Sequence, residues 1–119
     1  MTQALGKIHI NLNDVDLASM SSHKIYAPKG IGLLYKKNGI EIIPLIYGLT
    51  DNCPYRGGTP ALPLIVSFSK AVRLAIESLD ENIKKCEELN TMLKEGLSDL
   101  PVNINSNNCL LYTSDAADE

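Results

Sequence analysis

SSHKIYAPKGIGLLY, residues 21–35, joins a run of small residues to an apolar run through the turn Pro28-Lys29-Gly30-Ile31-Gly32. Residues 15–20 (VDLASM) form a short apolar segment before it, of which Asp16 to Met20 is apolar enough for a buried strand, and Lys24 comes just after it. The segment at its end, residues 31–35 (IGLLY), is apolar on both faces, the pattern of a central, buried strand. Residues 40–46 (IEIIPLI) read as a further strand, which Pro44 pushes toward an edge because proline cannot donate to a ladder. Asn38-Gly39 lies between these two runs, and both residues tolerate positive φ. An antiparallel hairpin over residues 31–46 is therefore expected.

Outward from this centre, residues 7–12 (KIHINL) alternate polar and apolar as a half-buried strand does. Residues 47–60 (YGLTDNCPYRGGTP) are rich in Gly, Pro, Asn and Asp and predict a long loop, which in a compact domain is functional or disordered. A helix starting at Thr59 or Pro60 follows, with Leu64, Phe68, Ala71, Val72, Ala75 and Leu79 on one side. A second helical segment, or the continuation of one long bent helix, carries Ile83, Cys86, Leu93, Leu97 and Leu100 at three- and four-residue steps. Asp80 is its candidate cap, and Gly96 and Pro101 mark its end. Cys86 falls on that stripe and reads as a core cysteine. Glu81, Lys84, Lys85, Glu87, Glu88 and Lys94 form a solvated face. Residues 102–105 (VNIN) suggest a last strand. By itself this order reads as α+β, or as part of a larger α/β sheet if the chain is cut at both ends.

The 119 residues suffice for one modest domain. Apolar residues make up 45% and charged residues 21%, ordinary values for a soluble globular protein. No apolar run approaches the ~20 residues of a membrane helix, and no signal peptide opens the chain. The cytoplasm is the expected compartment. Cys53, Cys86 and Cys109 have no metal or disulfide spacing, and His9 and His23 are too few for a His-rich metal site. The net charge of −3 is concentrated at one end: Asp115, Asp118 and Glu119 are acidic, whereas the other 11 acids balance 11 Lys and Arg. No basic patch suggests nucleic acid.

The last eleven residues, CLLYTSDAADE, have no periodicity and read as the translation of a transposase sequencing adapter. Residues 109–119 are accordingly expected to be adapter read-through rather than native. Cys109 is then no candidate nucleophile.

Lys24 poses the chemical question. A lysine amine becomes nucleophilic when burial or neighbouring positive charge lowers its pKa, so a lysine held for chemistry belongs in a walled pocket on a rigid element. Gly30 and Gly32 would let the backbone pass close to a ligand. Ser21, Ser22 and His23 offer short donors for an anion such as a phosphate. Physics alone leaves a surface lysine in a turn and a catalytic lysine both open, the surface charge being the commoner case.

Four motifs in order bear on it: Gln3-Ala4-Leu5-Gly6-Lys7, Ser21-Ser22-His23-Lys24, Pro28-Lys29-Gly30-Ile31-Gly32 and Arg56-Gly57-Gly58-Thr59-Pro60. Together they resemble the class V aminotransferase family of pyridoxal 5′-phosphate (PLP) enzymes, and within it the cysteine desulfurases. That family shows D-x-x-Q-x-x-G-K, S-G-H-K, G-P-K-G-I-G and R-S-G-T segments at these spacings. Each motif alone is weak; four in register over residues 2–108 are specific. The resemblance implies an α/β fold, here a piece of a fold-type I PLP-dependent transferase: the end of the large-domain sheet and the helix leading to the small domain. Residues 1–78 would close the PLP-binding domain, and residues 79–108 would begin the small C-terminal one.

The resemblance also implies roles. Lys24 looks like the lysine that holds PLP as an internal aldimine and later moves the substrate α-proton. Gln3 matches the glutamine that bonds the cofactor's ring hydroxyl. Ser21 and His23 match donors to its phosphate. Thr59 matches a residue reaching the phosphate bound in the partner subunit, which implies a homodimer. Arg56 is carried as loop architecture or a weak anion contact. The implied reaction takes sulfur from L-cysteine, leaves alanine and passes the sulfur to an acceptor protein, as in iron–sulfur cluster assembly. The alternatives are an aminotransferase, a selenocysteine lyase-like enzyme, or a non-catalytic binding module.

Some positions depart from the pattern. Ser22 and Ala27 stand where the family usually has glycine. Gly48-Leu49-Thr50-Asp51-Asn52 replaces G-G-G-x-E, and Tyr47 stands where some members have histidine. These changes bear on the substrate rather than the cofactor. The aspartate that pairs with the pyridinium nitrogen belongs two residues before Thr2, and the sulfur-accepting cysteine belongs well beyond Asn108, so Cys53 is not expected in that role. The chain is expected to be truncated at both ends, and in this form neither to fold well nor to turn over substrate.

Overall fold

The structure, a computed structural model, describes residues 1–48 and 54–104. Two compact units divide the chain, Met1–Leu79 and Asp80–Glu119. In the first, strand β1 (Leu17–Ser21) runs antiparallel to strand β2 (Gly32–Lys36), with Leu17 opposite Lys36 and Ser21 opposite Gly32. A 3₁₀ helix, Ser22–Ile25, follows β1 directly and opens the connection to β2. Helix α1 spans Leu62–Glu77.

β1 alternates as a one-faced strand should: Ala18 and Met20 are buried while Leu17 and Ser19 are exposed. The buried pair joins Leu5, Ile25 and Phe68 in one core, with Ala71, Val72 and Ala75 of α1 packed against it. These helix positions are the stripe read from the sequence. α1 begins at Leu62 rather than at Thr59 or Pro60. Pro60 disfavours helical dihedrals in the residue before it, while Pro63 sits in the first turn, where its missing N–H breaks no bond.

The hairpin expected over residues 31–46 does not form. β2 pairs backward with β1, and residues 40–46 form no strand. Two features account for this. Pro44 would interrupt any ladder. The Lys36 ammonium donates to the carbonyls of Ile40 (2.8 Å) and Lys37 (3.3 Å), curling the chain after β2 instead of returning it. Lys37 meanwhile fastens to the start of β1, its N–H on Asp16 O at 2.9 Å and its ammonium on Asn13 O at 3.1 Å.

Residues 7–12 are not a strand either, although Ile8, Ile10 and Leu12 are half-buried in alternation with exposed Lys7, His9 and Asn11. The facing is that of a strand, but among the described residues no neighbouring strand supplies a ladder. β2 is not the central buried strand its composition predicts: Leu33 is 41% and Leu34 52% exposed. Among the described residues it has one strand partner, and Ile31 and Leu33 line an open apolar groove with Ile65, Phe68 and Val72 of α1.

Helix α2 (Leu79–Gly96) belongs to the second unit from Asp80 on and ends at the glycine read as its stop. Ser78 separates it from α1, its N–H and hydroxyl both bonded to Leu74 O, so the two segments are distinct helices. Asp80 lies in the first turn of α2 rather than capping it. Lys84 and Glu88 stand 3.9 Å apart on its charged face, an exposed pair contributing well under ~1 kcal/mol. Cys86 is exposed rather than in a core, and Leu93 is 53% exposed. α2 is the one helix or strand among the described residues of its unit, so within that unit no second layer covers its stripe. Residues 102–104 form no strand, and Asn105 lies outside the described residues, as does the 109–119 tail.

Candidate active site

The site forms where β1 ends. Ser21 is the last residue of β1, and His23 and Lys24 lie within the 3₁₀ helix that follows. A 3₁₀ helix turns once every three residues, so four residues carry the chain past the sheet's end and leave Lys24 on that turn. His23 is exposed and Lys24 half-buried. Ile25, the residue after Lys24, is 5% exposed and belongs to the core, so the turn carrying the lysine is anchored from below. α1 packs against the turn. Tyr26, at its end, has φ 64°. A bulky residue in the left-handed region costs about 1 kcal/mol or more and persists only where its surroundings impose it.

Gln3 lies in the N-terminal turn, half-buried. That turn is tied to β1 by a hydrogen bond from Thr2 Oγ1 to Ser19 O (3.2 Å), and Leu5 enters the same core as Ile25. Gln3, Ser21, His23 and Lys24 thus belong to elements fastened to one core. Thr59 does not join them. It is exposed, follows Gly58 (φ 108°) and bonds to none of the four. Gly30 (φ 95°) turns the chain before β2, and Gly32 pairs with Ser21 at the end of the sheet.

Ser22 is not a donor to an anion, although its sequence neighbourhood suggested one. It is fully buried, and its hydroxyl donates to the carbonyl of Pro28. Its glycine-like place in the motif and its small size were the only signals that it would lie inside the turn.

The loop leading to Thr59 is closed by two glycines. The Gly57 N–H donates to Ile46 O at 3.0 Å. A Cβ on Gly57 would lie 2.8 Å from the backbone of Gly48 and from the Tyr47 carbonyl. Lys36 also stands over the Tyr55 ring, 5.6 Å from its centroid. Residues 46–48 and 55–57 therefore form a stem, and Arg56 sits exposed within it. Cys53 lies outside the described residues. In the full-length protein, Gly57→Ala is expected to push the two backbones apart and cost about 1–3 kcal/mol. A lower denaturation midpoint and faster exchange of the amide at position 57 would show it; an unchanged midpoint would mean the stem does not need glycine.

The residues at the end of β1 fit PLP in kind: a primary amine for an aldehyde, and a hydroxyl and an imidazole for a phosphate. The turn carries no acidic residue in its first turn and two basic ones in its last, so no carboxylate within it opposes a bound phosphate. Among the described residues no cluster of His, Cys, Asp or Glu could hold a metal ion, and no helix is long and apolar enough to cross a membrane.

Comparison with known proteins gives a consistent result. The family described as aminotransferase class-V matches residues 1–109. A mitochondrial cysteine desulfurase of Candida maltosa is 43% identical over 103 residues, which cover 83% of this chain and 21% of that protein. A solved structure titled NifS-like protein is similar at a TM-score of 0.82 and 38% identity, covering 92% of this chain and 31% of its own. Another, titled SspA in complex with cysteine, is similar at 0.57 and 42%, covering 61% and 22%. The chain has the α/β fold of the part of the NifS-like protein it matches. It spans about a quarter of the length of the curated relatives it matches.

Proposed function

We propose, since the chain belongs to the class-V aminotransferase family, that it is the lysine-bearing segment of a PLP-dependent cysteine desulfurase. The observation that carries this reading is the place of Lys24: it lies on an anchored turn at the end of a strand, in a chain whose fold matches a NifS-like protein. Bound PLP would supply an electron sink for the carbon from which the substrate proton leaves. Lys24 would hold the cofactor through Nζ and, once released by substrate, use the free amine to carry the α-proton. Ser21 and His23 would donate to the phosphate, and Gln3 would orient the ring through its hydroxyl. Sulfur would leave L-cysteine for a thiol, yielding alanine, and pass to an acceptor protein.

Thr59 is proposed to serve the partner subunit of a homodimer. Its exposure beyond the loop stem supports that assignment. Residues 1–78 are assigned to the PLP-binding domain and residues 79–108 to the start of the small domain. The cytoplasm is proposed from the sequence; the Candida maltosa relative is mitochondrial by name.

The test uses the full-length protein that contains this chain, purified with PLP. A visible absorbance band and one alanine per sulfur released from L-cysteine are expected. A band with amino transfer to a keto acid, and no sulfur release, would make it an aminotransferase instead. No band at all would overturn the reading.

A further inference from the structure

Among the described residues, Ser22 is the one whose side chain is fully buried, and all its polar groups are engaged within the turn. Its N–H donates to Ile31 O at 3.3 Å. Its carbonyl accepts from the N–H groups of Tyr26 and of Ala27, the latter at 3.2 Å. Its hydroxyl donates to the Pro28 carbonyl. Residues 26, 27, 28 and 31 are thereby fastened back onto residue 22, two positions before Lys24. The same bonds hold Tyr26 in its left-handed conformation. Glycine at this place could make the three backbone bonds but not the fourth. The fourth closes the chain from Ser22 to Pro28 into a ring, with Lys24 inside it.

We infer that Ser22 is a positioning residue for Lys24: its buried hydroxyl fixes the turn from which the lysine reaches the cofactor. This rests on the PLP reading above. A group displaced by a fraction of an ångström loses alignment with the atom it must meet, and catalysis falls steeply with such misplacement. A polar group buried inside the turn also has a reason to keep its partner, since Pro28 O would otherwise lose its donor.

The experiment compares Ser22→Ala and Ser22→Gly with the unsubstituted full-length protein. In the cofactor-free form, exchange at the Ala27 amide is expected to quicken about tenfold, as the ring opens. In the loaded form, kcat is expected to fall about tenfold with KM for L-cysteine little changed. The pH at which the bound cofactor's visible band titrates is expected to move. Should Ser22→Ala fail to fold, Ser22→Gly, which adds no atoms, carries the same three readouts. An unaltered kcat and an unaltered titration of the band would overturn the inference, whatever happened to thermal stability. A band absent from the unsubstituted protein would overturn the PLP reading, and this inference with it.

Discussion

Lys24→Ala in the full-length protein is expected to remove the visible band of covalently held cofactor and to lower kcat by about 10³-fold or more. The size follows from the two roles proposed for Lys24, the covalent tether and the amine that carries the α-proton. Positioned proton transfer alone contributes roughly 10²–10⁴-fold. Stability should hardly change. Lys24 is half-buried, and its side chain makes no hydrogen bond or ion pair among the described residues; substitutions of that kind stay within about 0.5 kcal/mol. The prediction therefore separates chemistry from folding. Absorbance and turnover should collapse while the denaturation midpoint of the cofactor-free protein holds. Persisting activity would mean that another group holds the cofactor. A collapse of the midpoint would mean that Lys24 supports the turn rather than the reaction.

What could be read from the sequence divides along physical lines. α1 was legible because its apolar residues recur at helical spacing, and the same residues face one core. The pairing of the sheet was not. Asn38-Gly39 is a sound local turn signal, but a ladder needs donors on both strands, and Pro44 withholds one. Lys36, which bonds two carbonyls beyond β2, is invisible to a pattern of apolar and polar residues. Cys86 is exposed, against the expectation from its stripe, for a related reason. Periodicity finds the apolar stripe of α2 but does not say whether the described chain contains anything to cover it. IGLLY teaches the same lesson: a strand apolar on both faces states what it is built to be buried against, and one helix and one strand meet only part of that.

The site was legible only as a resemblance. Gln3, Ser21, His23, Lys24 and Thr59 each have an ordinary surface role open to them, and four motifs in register single them out together. Nothing in the residue pattern indicates how the Lys24 turn is held. Ser22 bonds a carbonyl six residues away, and Gly48 meets Gly57 nine positions on. Such contacts depend on how the intervening chain folds back, which composition and spacing do not encode.

Gly6 offers the largest expected effect on stability and joins the fold to the site. It adopts φ 72°, a region a β-branched residue scarcely enters. A Cβ there would lie 2.9 Å from the Ala75 side chain on α1 and 3.2 Å from Ile25 at the end of the lysine-bearing turn. Neither neighbour can yield easily. Ala75 has no rotamer to change, and Ile25 is 5% exposed within the core. Gly6→Val therefore combines backbone strain with overpacking, each about 1–3 kcal/mol, for a total of roughly 3 kcal/mol or more. Chemical denaturation of the cofactor-free full-length protein measures it. The displacement has a direction as well: α1 and the 3₁₀ helix must part, and Lys24 moves with the latter. Cofactor affinity should fall too, and by more in Gly6→Val than in Gly6→Ala, whose single methyl makes the same first contact without the branch. If both variants kept the native midpoint and affinity, the N-terminal turn would not be wedged between these two elements, and the role proposed for Gln3 on that turn would lose its support.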